Sequence, residues 1–141
     1  VDVLLVEDDE HFADSLILRL ARRGFAVRHE VTALAAVTAA QKQLPEAVVL
    51  DLILPDGSGL EFLHKFREMD ADIPVVILTA YESLESAKEA INGGATAYMS
   101  KADLEIETLA SVLRSSVARC QEIKSLREVV TMCCALVGGD K

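Results

Sequence analysis

An α/β fold, a single doubly wound sheet of five parallel strands flanked by five helices, is predicted by three features of this 141-residue chain. Apolar runs of strand length, such as residues 3–6, 48–50 and 75–78, alternate with segments whose apolar residues recur at helical spacing, the alternation that builds a parallel sheet through helical crossovers. The runs are continuous rather than alternating, as strands covered by helices on both faces require. Polar residues follow the runs directly, and in an open parallel sheet those positions emerge into the crevice where ligands bind. With right-handed crossovers the common order is 2-1-3-4-5, whose switch point lies between strands 1 and 3.

The elements follow in order. Val3-Leu4-Leu5-Val6 stops at Glu7-Asp8-Asp9-Glu10, and Phe12, Leu16, Ile17 and Leu20 then recur at helical spacing, with Arg19, Arg22 and Arg23 late in the helix and Gly24 as a stop. Residues 25–31 form a second strand, Thr32 can cap an alanine-rich helix over residues 33–44, and Pro45 ends it. The third strand is the β-branched run ending at Asp51, after which Pro55, Gly57 and Gly59 force a loop. Taken alone, Asp51 is equally a turn former or a helix cap. A helix from Ser58 or Gly59 turns Leu60, Leu63 and Phe66 inward. Pro74-Val75-Val76-Ile77-Leu78 is a fourth strand, its proline at the first position where no ladder donor is lost, and it ends at Thr79-Ala80. Ser83 caps a helix running to Asn92, which Gly93-Gly94 stops in a left-handed conformation. Residues 95–99 form the fifth strand, ending at Ser100-Lys101, and from Leu104 onward the pattern is helical.

Composition narrows the function. At 51% hydrophobic and 26% charged the chain is an ordinary globular domain, and its net charge of −9 argues against direct binding to nucleic acid, which rests on Lys and Arg neutralising phosphates. Acidic clefts instead attract divalent cations or basic partner faces. Cys120, Cys133 and Cys134 form neither a disulfide framework nor a metal-ligand spacing, so a reducing, cytoplasmic setting is expected. No stretch approaches the ~20 apolar residues needed to cross a bilayer, and no membrane contact is expected. The chain begins with Val, as a processed or excised chain does.

The chemistry lies at the strand ends: Glu7, Asp8 and Asp9 after the first, Asp51 after the third, Thr79 after the fourth and Lys101 after the fifth. Singly, each has an ordinary explanation as a helix-terminal charge, a loop hydroxyl or a solvated lysine. Together, carboxylates converging in one cleft repel and raise one another's pKa unless a cation neutralises them, and hard oxygen ligands favour Mg²⁺. Asp51 can then act as a nucleophile toward phosphorus, with the Lys101 ammonium supplying charge and Thr79 a hydroxyl hydrogen bond to a phosphoryl oxygen.

This set of residues resembles the receiver domain of two-component response regulators, a flavodoxin-like fold. The match spans about residues 2–120 and rests on Val6-Glu7-Asp8-Asp9, on Asp51-Leu52-Ile53-Leu54-Pro55-Asp56-Gly57-Ser58-Gly59, on Thr79-Ala80 and on Ala97-Tyr98-Met99-Ser100-Lys101. The resemblance implies Asp51 as phosphoacceptor and Asp8, Asp51 and the Ile53 backbone carbonyl as Mg²⁺ ligands, with Glu7 acting on the metal mainly through water. It implies that Lys101 contacts the phosphoryl group and that Thr79 and Tyr98 form a switch pair. It also implies a histidine kinase or histidine phosphotransfer protein as partner, and a signalling domain that catalyses only its own phosphoryl transfer and dephosphorylation. Ile53 and Tyr81 occupy positions that border the path of an attacking water in the family and so tune the phosphoryl lifetime, although Ile53 is equally explained as strand-end packing. One departure is visible: Ala102 stands where such receivers usually place a proline, often with a cis bond, so a trans bond or an unusually held loop is expected.

Two other readings compete with this one. Phosphatases of the haloacid dehalogenase type also use a strand-end Asp with Mg²⁺, but need a second Asp two residues on, where this chain has Ile53. A degenerate receiver that binds partners without phosphorylation is disfavoured by the intact Asp8, Asp51, Thr79 and Lys101.

Past the fifth strand, Leu109, Leu113, Val117, Cys120, Ile123, Leu126, Val130, Cys133 and Val137 recur about every 3.5 residues, the coiled-coil seam period. A helix over residues 104–137 would be about 50 Å long and must overhang, bend back or find a partner. The expected organisation is a receiver over residues 1–120 and a helical extension or linker over residues 121–141, truncated before an output domain. The extension is either a plain linker or a homodimer contact, and residues 138–141 are a frayed tail or truncation point.

Overall fold

The computed structural model describes residues 1–138, with side chains through Cys134. Residues 139–141 of the glycine-containing tail and the side chain of the last seam residue, Val137, lie outside the described residues. The sheet contains β1 (Asp2–Val6), β2 (Ala26–Glu30), β3 (Ala47–Leu50), β6 (Val75–Thr79) and β7 (Ala97–Ser100), all parallel, in the order β2-β1-β3-β6-β7. This is the expected 2-1-3-4-5 order, renumbered because two short strands intervene. These are β4 (Ile53–Leu54) and β5 (Gly57–Ser58), a small antiparallel hairpin directly after Asp51. Two-residue strands carry no periodicity, so the sequence gives no sign of them.

Alternate residues of each strand enter opposite cores. Leu4, Val6, Val48, Leu50, Val75 and Ile77 face α2 (Ala33–Lys42), α3 (Gly59–Met69) and α4 (Leu84–Asn92). Val3, Leu5, Val49, Val76 and Leu78 face α1 (Glu10–Ala21) and α5 (Ile106–Gly138). The helix starts follow the capping rules: Asp9, Thr32, Ser58 and Ser83 each accept a backbone N–H from the first turn that follows. Asp56 adds a second cap to α2, its carboxylate accepting from Ala33 N and Leu34 N at 2.9 Å each. Gly94 rather than Gly93 takes the left-handed conformation after α4, with φ +99°.

One expectation changes in detail and one is met. On α3 the buried residues are Gly59, Phe62, Leu63 and Phe66, while Leu60 is only partly covered and lines an open pocket with Leu52, Tyr81 and Ser86. Every peptide bond among the described residues is trans, Lys101–Ala102 included. The Ala102 N–H donates to Ser100 Oγ at 3.1 Å, a bond that proline could not make.

The seam of α5 divides in two. Leu109, Leu113 and Val117 are buried against the sheet and Cys120 is buried at its edge beside Leu44, Pro45 and Ile73, whereas Ile123, Leu126, Val130 and Cys133 are exposed. Past Cys120 the helix is tied back by polar contacts to the far rim of the domain: Gln121 Nε2 to Glu46 Oε2 at 3.5 Å, Lys124 Nζ to Asp70 Oδ2 at 3.2 Å, and Arg127 to Asp72. No helix among the described residues is long and apolar enough to cross a membrane.

Candidate functional site

The parallel ladders continue past the last core residue of each strand and so position the groups that follow. Glu7 N donates to the Glu30 carbonyl at 3.0 Å, Asp51 N to the Val6 carbonyl at 3.1 Å and Lys101 N to the Thr79 carbonyl at 3.0 Å. Four strand ends therefore bring Glu7, Asp8, Asp51, Thr79 and Lys101 to one open cleft of about 400 Å³, with Ile53 and Tyr81 on its rim. All the sequence-predicted site residues except Tyr98 line it.

α3 begins directly beneath this cleft. A Cβ on Gly59 would lie 2.1 Å from the Asp51 carbonyl oxygen, and the Gly59 N–H donates to the Leu52 carbonyl at 2.8 Å. Only a residue without a side chain allows the helix to start so close to the strand end.

Inside the cleft Lys101 Nζ bridges the two buried carboxylates, 2.6 Å from Glu7 Oε1 and 2.9 Å from Asp51 Oδ2. Its ammonium also lies over the Phe12 ring, 4.6 Å from the centroid, which favours the charged form. Asp51 Oδ1 accepts from Ile53 N at 3.3 Å. Burial pushes the Glu7 carboxyl up to about 7, with the neighbouring Asp51 adding to the rise and the Lys101 hydrogen bond opposing it. Asp51 goes the other way: burial raises it, but hydrogen bonds from Lys101 and Glu7, the Lys101 charge and the Thr79 hydroxyl together hold it below the ordinary carboxylate value. Lys101 is disfavoured as a cation by burial, yet its bonds to Glu7 and Asp51 outweigh this and raise it. At neutral pH the cleft thus presents an ionised Asp51 beside a charged lysine, the state a carboxylate nucleophile needs.

Glu7, Asp8 and Asp51 each offer a carboxylate oxygen within 4.8 Å of the others. Three hard oxygen donors at this spacing, partly open to solvent, suit a cation such as Mg²⁺ that keeps several waters. Asp9, the remaining member of the acidic run, is the α1 cap, accepting from Phe12 N at 3.1 Å.

The switch residues sit one on each side of the loop after β6. Thr79 is buried and its Oγ accepts from Tyr81 N at 3.1 Å. The Tyr98 ring is half-buried against the α2–α4 core, and its hydroxyl donates to the Tyr81 carbonyl at 3.1 Å. The sequence reading missed Phe12, Gly59 and Ser86, whose Oγ lies 2.9 Å from Tyr98 OH. Phe12 and Ser86 read as routine helix residues, and Gly59 as one of several loop glycines.

A protein-family model described as the response regulator receiver domain matches residues 3–114. The chain belongs to the response regulator receiver domain family. This receiver is 34% identical over 119 residues to the probable transcriptional regulatory protein TcrX of Mycobacterium tuberculosis, covering 84% of this chain and 50% of TcrX. It is 37% identical over 99 residues to the photosynthetic apparatus regulatory protein RegA of Rhodobacter capsulatus, covering 70% of this chain and 54% of RegA. The chain thus spans about half the length of these curated relatives. Among solved structures, a CheY-like receiver domain protein from Methanospirillum hungatei superposes with a TM-score of 0.81 at 26% identity, over 86% of this chain and 96% of that one. A response regulator from Burkholderia pseudomallei, solved with a phosphorylated aspartic acid, calcium ion and citrate, superposes with a TM-score of 0.75 at 29% identity, over 89% of this chain and 74% of that one.

Proposed function

We propose that this receiver takes a phosphoryl group from a partner histidine kinase or histidine phosphotransfer protein onto Asp51 and changes conformation through Thr79 and Tyr98. The observation that carries the reading is the meeting of an ionised Asp51, the Lys101 ammonium and the Thr79 hydroxyl in one cleft. The phosphorylated aspartic acid of the Burkholderia relative supports it. In the transfer, an Asp51 oxygen forms a bond to phosphorus as the phosphorus–nitrogen bond of the donor histidine breaks and its electron pair returns to the imidazole. Lys101 accompanies the charge from carboxylate to phosphoryl oxygen, so the cleft stays balanced. The residues fit Mg²⁺, held by Asp8, Asp51 and the Ile53 carbonyl with Glu7 acting through water; bound there, the ion supplies positive charge against the phosphoryl oxygens.

A hydrogen bond from the Thr79 hydroxyl to a phosphoryl oxygen contributes about 1.5–3 kcal/mol. This shifts a two-state equilibrium roughly ten- to a hundredfold, enough to change partner choice without refolding. Ile53 and Tyr81, both exposed on the cleft rim, stand between solvent and the acyl phosphate and lengthen its lifetime. The role is signalling rather than turnover of a free substrate, in the cytoplasm where the kinase partner acts. Residues 1–120 are the receiver and residues 121–141 an extension, helical through Gly138, whose exposed half of the α5 seam pairs with a second copy.

Intact mass after incubation with Mg²⁺ and acetyl phosphate, for the parent and for Asp51→Asn, tests this. One added phosphoryl group in the parent alone is expected. No gain in the parent, with Mg²⁺ binding independently detected, would overturn the reading in favour of a phosphorylation-independent binding domain.

A further inference from the structure

The first turn of α4 is wired to Tyr98 by hydroxyl groups. Ser86 is buried, and its Oγ lies 2.9 Å from Tyr98 OH, 2.9 Å from Ser83 Oγ and 3.2 Å from the Ser83 carbonyl. Tyr98 OH in turn donates to the Tyr81 carbonyl, and the same residue's N–H is held by Thr79. Each hydroxyl has one proton, and one direction of donation satisfies the set: Ser83 to Ser86, Ser86 to Tyr98, Tyr98 to the Tyr81 carbonyl. Residue 81 therefore has its N–H on one switch residue and its carbonyl on the other, while Ser86 closes the path onto the capped end of α4.

We infer that Ser86 is a positioning residue for the switch: its hydroxyl holds the Tyr98 ring where it packs against the α2–α4 core, the inward position, and ties that position to the first turn of α4. The inference rests on the Thr79–Tyr98 switch proposed above. A serine in the first turn of a helix is ordinarily explained by local capping, but Ser83 already caps α4 by accepting from Ser86 N at 3.0 Å, without help from the Ser86 side chain. The Ser86 proton has two acceptors within reach, Tyr98 OH and the Ser83 carbonyl. The Ser83 carbonyl already accepts the Ala87 N–H at 3.0 Å and lies farther from Ser86 Oγ than Tyr98 OH does, so turning the ring away exchanges a shorter hydrogen bond for a longer one to a shared acceptor. The difference between the two bonds is what favours the position seen here. Tyr98 packs against the core face shared with α4, so the same bond links the ring's position to the helix surface a partner would read.

The chain has two tyrosines, Tyr81 and Tyr98, which makes the test direct. Tyrosine rings labelled with ¹³C at the ε positions are followed by NMR in the parent, Ser86→Ala and Ser86→Thr, with and without Mg²⁺ and acetyl phosphate. Tyr98→Phe assigns the signal, and mass spectrometry scores phosphorylation in each sample. Losing one neutral hydrogen bond should lower the inward-to-outward ratio of Tyr98 about two- to tenfold in Ser86→Ala. Ser86→Thr, which keeps the hydroxyl, should restore it, and all three proteins should gain the same phosphoryl group. A Tyr98 signal and response unchanged in Ser86→Ala would overturn the role of Ser86 and leave the switch standing. A parent whose Tyr98 signal ignores phosphorylation of Asp51 would overturn the switch itself, and this role with it.

Discussion

Replacing Gly59 by alanine sets two known effects against each other at the foot of the site. Gly59 opens α3, and alanine there gains helix propensity, at most about 1 kcal/mol. The added Cβ, however, falls 2.1 Å from the Asp51 carbonyl oxygen, 2.9 Å from Leu52 Cα and 3.0 Å from the Asp51 carbonyl carbon. All three are backbone atoms of a strand end held in a ladder, and none can rotate aside. Relief requires the first turn of α3 to lift by an ångström or more, at an overpacking cost of about 1–3 kcal/mol. The same movement stretches the Gly59 N–H bond to the Leu52 carbonyl, worth about 1 kcal/mol more. The net destabilisation is about 1–3 kcal/mol. With a urea m-value near 2 kcal/mol/M, the unfolding midpoint should fall by roughly 0.5–1.5 M. Urea unfolding followed by far-ultraviolet circular dichroism reads this shift directly. A midpoint for Gly59→Ala equal to or above the parent's would refute the close-approach argument, because it would mean that the helix start can leave the strand end without cost.

The remaining predictions concern the rim of the domain and the extension. Burial raises the Asp70 carboxyl, but bonds from Asp72 N, Lys124 and Ile73 N hold it below its ordinary value of 3.8. A depressed carboxyl stabilises the fold above its unfolded pKa, and that stabilisation is lost as pH falls through the folded value. Asp70→Asn should therefore lower the thermal midpoint at neutral pH, with the gap to the parent closing on acidification below about pH 4; a gap that is constant with pH would sink the assignment. In the extension, Ile123 and Val130 take one seam position and Leu126 the other, an arrangement that favours two parallel strands. Sedimentation velocity should find a concentration-dependent dimer that Leu126→Glu abolishes. A parent that stays monomeric at every accessible concentration would show the seam to be unused.

How much of this was legible beforehand depended on the length scale of the signal. The sheet order could be read because the three inner strands are continuous apolar runs and crossover handedness limits the arrangements. Asp51, Thr79 and Lys101 could be placed because each directly follows such a run. The contacts between them could not. Lys101 meets Glu7 across 94 positions and Asp51 across 50, so the ion pairs become visible only once the topology is known. Ser86 was missed for a related reason: its spacing from Ser83 fits ordinary capping, and nothing local marks Tyr98 as its partner. On α5 the apolar period runs unbroken through Cys120, while burial stops there, because periodicity reports a face of the helix and not where the sheet ends.

The two ion pairs at the far rim act as a fulcrum. α5 enters from the loop after Lys101, crosses the sheet and leaves at the opposite end, where Asp70 and Asp72 hold Lys124 and Arg127. Between Ile106 and Lys124 the helix covers 18 residues, about 27 Å at 1.5 Å per residue, and past Arg127 it continues for 11, about 17 Å. The outer arm is the shorter one, so a sideways movement near Lys101 arrives at the end of the described helix at roughly 0.6 of its size and in the opposite direction.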